Sequence, residues 1–205
     1  MARPTPPPRP VLADARLAAL LEQCAALHAH LCPRQVLGVR MGLLGGRLLG
    51  LDVPQTGKRL LAFVETDGCA ADGVSVATGC SVGHRTLRVI DFGKVAVTLV
   101  DVETQRAVRV TPSPHSRTLA AHYAPDARSR WHAQLAAYQI MPDDELLIAR
   151  PVTLRVSLEA LLSKPGRRVT CEVCGEEIIN EREIVHEGMV LCRACAGERY
   201  YDPLP

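Results

Sequence analysis

The stretch Leu27-His28-Ala29-His30-Leu31-Cys32-Pro33 sets two imidazoles and a thiol side by side and closes on a proline. That proline decides the local fold. Pro33 has no N–H to donate and disfavours the α conformation at Cys32, so a helix arriving from upstream must end before it. Proline also suits the first position of a new helix. Upstream, Asp14 is a candidate N-cap, and Leu17, Leu20, Leu21, Cys24, Leu27 and Leu31 recur at helical spacing. Downstream, Val36, Leu37, Met41 and Leu44 continue the same periodicity. Cys32 therefore falls at a helix N-terminus, where free N–H groups and the macrodipole favour a thiolate. Gly38, Gly42, Gly45 and Gly46 weaken this second helix in isolation and suit close approach of another backbone.

A second stretch answers the first. Residues 59–65 form a short apolar run that reads as a buried strand, ending at Thr66-Asp67-Gly68-Cys69. Residues 70–78 read as a short helix stopped by Gly79, with Cys80 next. The β-rich runs 87–91 and 94–101, separated by Phe92-Gly93, have the composition of a hairpin, and 107–110 adds a further strand. Residues 113–139 read as helix, and 146–156 as a bent strand or strand pair around Pro151. Helices and antiparallel strands mix without βαβ regularity, so the fold class is α+β.

The flanks differ in character. Residues 1–12 hold five of the fifteen prolines and read as a disordered arm. Residues 13–162 form the α+β core, 163–169 a linker, and 170–205 a separate module. In that module Cys171-x2-Cys174 and Cys192-x2-Cys195, seventeen residues apart, have the spacing of a four-thiolate zinc site. So short a segment needs such a staple. Its order of strands and closing helix (194–201) is similar to a treble-clef finger.

Charge divides in the same way. Residues 169–205 carry eight acidic side chains against three arginines, leaving the rest of the chain net basic. An acidic finger argues against phosphate-backbone binding, so nucleic acid is not an expected partner. No apolar run is long enough to span a bilayer and no export signal opens the chain, so a cytoplasmic protein with metal-binding rather than disulfide-bonded cysteines is expected.

In the core, His28, His30, Cys32, Cys69 and Cys80 are candidate ligands of a second transition metal, with zinc one option. Cys32 and Cys69 are also candidate catalytic thiols. Only one of His28 and His30 need be a ligand, since they sit two residues apart. Cys80 reads equally as ligand or core residue, Cys24 as a small buried hydrophobe, and Asp67 and Asp72 as helix caps. The other histidines lack partners by spacing and read as structural.

His28-Ala29-His30-Leu31-Cys32-Pro33, Thr66-Asp67-Gly68-Cys69 with Asp72, Thr78-Gly79-Cys80 and Asp91-Phe92-Gly93-Lys94-Val95-Ala96 together resemble the ordered motifs of the FmdE family of formylmethanofuran dehydrogenase proteins. The resemblance spans about residues 13–160. It implies a dimeric α+β core with a metal or active site where the histidine–cysteine motif meets the Asp-Gly-Cys motif, and the tail resembles an appendage that some members carry. Where members often have glycine after Cys-Pro and between the two histidines, this chain has Arg34 and Ala29, which narrow the approach or add a cation. Two functions follow: a metal-binding accessory or delivery component for a molybdenum or tungsten oxidoreductase partner, or a stand-alone metal- or thiol-dependent enzyme acting on a small one-carbon or related substrate.

Overall fold

The computed structural model describes residues 15–162, 166–202 and 204. The proline-rich arm, Asp14 and linker residues 163–165 lie outside the described residues, as does the side chain of His28. The chain divides between Leu154 and Arg155 into two compact units.

The first unit opens with α1 (Ala15–His28) and α2 (Pro33–Leu49). Leu17, Leu20, Leu21 and Cys24 are buried, but Leu27 is exposed, so the apolar stripe of α1 ends earlier than its sequence suggests. Ala29, at φ 58°, takes the chain out of the helix before Pro33 is reached. β1 (Leu60–Val64), α3 (Cys69–Thr78) and β2 (Leu87–Val89) follow, then β3 (Val97–Asp101) and β4 (Ala107–Pro112). The unit continues through α4 (Ser116–Tyr123), α5 (Arg130–Ile140), α6 (Asp143–Leu146) and β5 (Leu147–Val152).

The sheet order is β2-β1-β3-β4-β5, antiparallel except for the parallel pair β1–β2. β1-α3-β2 is a single βαβ crossover in an otherwise antiparallel sheet, and the α+β class stands. One expectation is corrected: β2 and β3 are not a hairpin, because β1 lies between them. The turn around Gly93 instead wraps the end of β1: Ile90 N–H donates to Val64 O at 2.9 Å, and Phe92 and Lys94 N–H donate to Glu65 O at 3.0 and 2.9 Å. Local composition identified the turn but not the strand that satisfies it.

The helix expected over 113–139 is two helices. Pro125 disfavours helical geometry at Ala124, which has φ −139° and ψ 65°. Ser129 then restarts α5 by accepting the His132 N–H. Residues 147–152 form one strand at the sheet edge, where Pro151 removes no interior ladder bond. Alternate residues Leu60, Ala62 and Val64 of β1 share one core with Val97 and Leu99, with α1, α2, α3 and Tyr138 of α5.

The second unit starts with α7 (Leu158–Leu162). β6 (Arg168–Thr170) pairs with β7 (Glu177–Ile179), and β8 (Ile184–His186) with β9 (Met189–Leu191). A helical turn over Ala194–Glu198 closes it. That turn is shorter than the expected 194–201 because Gly197, at φ 105°, breaks it. Cys171, Ile178 and Leu191 make the small apolar centre.

Candidate metal and thiol centres

Two helices that start at cysteines lie side by side. A Cβ on Gly38 of α2 would overlap the Ala70 carbonyl oxygen of α3 and lie 2.9 Å from Gly73 Cα. A Cβ on Gly73 would overlap Gln35 O in return, and one on Gly42 would meet Ala77 at 2.8 Å. The matched order of contacts, 38 with 73 and then 42 with 77, makes the helices parallel, with their N-termini at the same end. Cys32 is the N-cap of α2 and Cys69 the first residue of α3. Both therefore face one cavity of about 590 Å³.

Burial pushes the Cys69 thiol up, and its interaction with Cys32 adds to this, against the pull of the Cys69 backbone N–H. The net direction is opposite to the one expected from its helix position alone: desolvation outweighs the helix end.

Cys32 is held from below. Gln35, fully buried, accepts the Cys32 N–H on Oε1 at 2.9 Å and donates from Nε2 to Cys24 O at 3.0 Å. One side chain thus ties α1 to the start of α2. Cys24 is buried behind the pair, and burial, then Asp72 and Cys32, raise its thiol to about 11. It is core, as its stripe position implied.

The remaining candidates divide. Cys80 is 2% exposed and its thiol donates to Leu60 O at 3.4 Å, so it is a core residue outside the cavity wall. His30 is exposed and does not line the cavity. The N-cap of α3 is Gly68 without a side-chain cap bond, so neither Asp67 nor Asp72 caps it. Among the described residues, no cluster of three metal-ligating side chains forms in the core.

In the second unit the donor set is complete. The sulfurs of Cys171, Cys174, Cys192 and Cys195 all lie within 4.8 Å of one another, with Cys174 Sγ and Cys192 Sγ 3.9 Å apart. A tetrahedral ion with metal–sulfur bonds of about 2.3 Å requires edges of about 3.8 Å, so the cluster fits a metal ion. Backbone N–H groups of Cys192 and Cys195 point at Cys171 Sγ and Cys192 Sγ, at 3.3 and 3.4 Å. The Cys174 backbone N–H, and after it that of Cys192, lower Cys171 to about 6, whereas the hydrogen bond to Cys192 and burial push Cys195 to about 12.

Residues 27–148 match the family described as "FmdE, Molybdenum formylmethanofuran dehydrogenase operon". The chain belongs to the FmdE family. The match takes in both cysteine-bearing helix starts, strands β1 to β4 of the large sheet and the first residues of β5. The FmdE chain is also similar to a tungsten formylmethanofuran dehydrogenase FmdE-like protein of Syntrophus aciditrophicus, with a TM-score of 0.60 and 24% identity over 90% of this chain and 94% of that one. That likeness concerns the fold. A protein of Archaeoglobus fulgidus described as a probable S-adenosyl-L-methionine-binding protein is 39% identical over 91% of this chain. The present chain spans 55% of that relative's length. Among the described residues, no helix is long and apolar enough to cross a membrane.

The motif reading missed Gln35, whose buried amide has no local signature, and the far wall of the cavity. Ser116, Arg117, Trp131 and Tyr138 form that wall from α4 and α5, elements that had been read as one helix.

Proposed function

We propose that this FmdE-family chain is a metal-binding accessory component for a molybdenum or tungsten oxidoreductase of formylmethanofuran dehydrogenase type. It holds an exchangeable transition metal at Cys32 and Cys69, with His28 the third donor, and a structural zinc ion in a treble-clef-like finger at Cys171, Cys174, Cys192 and Cys195. One observation carries the reading: two thiols distant in sequence face the same cavity from the starts of two parallel helices. Burial disfavours the free thiolate at Cys69, so a bound cation would supply the charge that stabilises the sulfur anion there. An ion bound there would supply a Lewis-acid centre with open positions. An incomplete protein ligand set suits loading and release better than permanent storage. The chain acts as a homodimer, and the acidic finger is the docking module for the partner.

Chelator competition on zinc-loaded protein tests this. Two kinetic phases are expected, a fast one from the core and a slow one from the finger, and Cys32→Ser removes only the fast phase. A single slow phase unchanged by Cys32→Ser would overturn the proposal. The cavity beside the thiols also suits the enzyme reading, which gains if the fast-exchanging metal turns over a one-carbon substrate.

A further inference from the structure

The cavity bordered by Cys32 and Cys69 shares four wall residues, Arg34, Val95, Pro112 and Arg117, with a second cavity of about 460 Å³ that contains Lys94. The two form one cleft, and both volumes fall in the range of small-molecule sites. Its charge is one-sided. Among the described residues, Arg34, Lys94 and Arg117 have no carboxylate within ion-pair distance, whereas Arg109 in the same cleft is held bidentately by Glu65 at 2.6 and 2.6 Å. Another cavity also contains arginines, but there Arg40 and Arg47 both bind Asp143. The cleft at the thiols thus presents cations that no described carboxylate compensates.

A second, independent feature points the same way. Tyr138 is 1% exposed and lines the cavity, and its hydroxyl has no hydrogen-bond partner among the described residues. Buried polar groups are nearly always satisfied, and an orphan in a cavity wall marks a place where a ligand atom completes the bond. Ser116 and Arg117 lie on the same wall, close enough to act on the Tyr138 hydroxyl but without the geometry of a bond to it. Trp131, Pro112 and Leu37 give the rest of that wall an apolar surface.

We infer that the cleft is an oxyanion-binding site, in which Arg34, Lys94 and Arg117 hold a small tetrahedral or carboxylate anion that accepts a hydrogen bond from Tyr138, beside the Cys32–Cys69 pair. This deepens the proposed function by naming the ligand class of the same cavity and rests on that reading only for what the ligand does there. The guanidinium fork matches the geometry of two oxygens on one centre, so both arginines contribute orientation as well as charge. Two sources share this chemistry: an oxyanion of the metal that the partner enzyme uses, or the anionic group of an organic substrate.

Trp131 is the one tryptophan of the chain and lies in the cavity wall, so its fluorescence reports occupancy. Full-length protein that keeps the ion of its four-cysteine cluster is titrated with inorganic phosphate, molybdate and acetate, each at ionic strength held constant with chloride. At least one is expected to saturate. Tighter molybdate binding assigns a metal oxyanion, and tighter phosphate or acetate binding an organic substrate. Arg34→Gln and Arg117→Gln should each weaken binding about tenfold, one such charge-assisted contact being lost. Lys58→Gln, which removes an exposed cation lining neither cavity, should not. Tyr138→Phe should weaken binding about fivefold while leaving the ligand-free melting temperature the same or higher, since it removes only an unpartnered hydroxyl. Absence of saturation with all three anions, or saturation unaffected by both arginine changes, would overturn the inference. Anion binding should persist in Cys32→Ser, so its failure and a failure of metal binding are read separately.

Discussion

Gly38 and Gly73 touch backbone to backbone, so closely that a methyl group on either would collide with a carbonyl oxygen of the other helix. Because the contact lies six residues after Cys32 and four after Cys69, it sets how far apart the two thiols start. Gly38→Ala should therefore separate the helices. Overpacking of this kind costs about 1–3 kcal/mol. A lower urea midpoint is expected, together with weaker capture of a trivalent arsenical that must bridge both thiols. Unchanged bridging with unchanged stability would mean that the helices do not meet here.

Gln35 is the second determinant of thiol position. Gln35→Ala leaves the Cys32 N–H and the Cys24 carbonyl without their partner, and each orphaned buried group costs about 1–3 kcal/mol. Denaturant unfolding should show a loss of about 2–4 kcal/mol. Gln35→Leu, which keeps volume but not the bonds, should not restore it.

Acid stability should depend on Asp101. Arg59 holds this buried carboxylate bidentately at 3.0 and 3.0 Å, Thr104 adds a third bond at 2.9 Å, and its pKa is lowered to about 2. A depressed folded pKa contributes stability that is present above the unfolded value of about 3.9 and is lost as pH falls toward the folded value. Melting temperature should thus fall between about pH 4 and pH 2, and Asp101→Asn should flatten that limb while costing about 2–3 kcal/mol near neutrality. An identical acid limb in Asp101→Asn would assign the effect to other carboxylates.

The second unit has too small an apolar centre to stand without cross-linking by a metal. Cys174→Ser, or a strong chelator, should expose the segment after Arg155 to proteolysis while the first unit stays resistant. Equal resistance with and without metal would show that the finger folds by itself.

Much of this architecture could be read from the sequence. Pro33 placed the helix boundary and Cys32 at its cap, Gly79 stopped α3, and the glycines of α2 were legible as a close-approach surface. What escaped was nonlocal. Phe92-Gly93 looks like a hairpin because a turn cannot say which strand will accept from its N–H groups, and here β1 slides between. Pro125 was a local signal overlooked within an otherwise helical pattern. At the site, spacing alone could not separate Cys80, which bonds to the Leu60 carbonyl, from Cys69, which reaches the cavity. Nor could it place Arg117 and Tyr138 against thiols so distant in sequence, because only the packing of α4 and α5 does so.

The central claim is that Cys32 and Cys69 form one half-site, separate from the four-cysteine cluster. Metal content per chain, measured by mass spectrometry on full-length protein loaded with zinc and desalted, tests it most directly. Two equivalents are predicted for the unaltered chain. Cys32→Ser and Cys69→Ser should each retain one, Cys174→Ser should lose only the finger ion, and Cys80→Ala should retain both. Two equivalents retained in Cys32→Ser and Cys69→Ser would contradict the account.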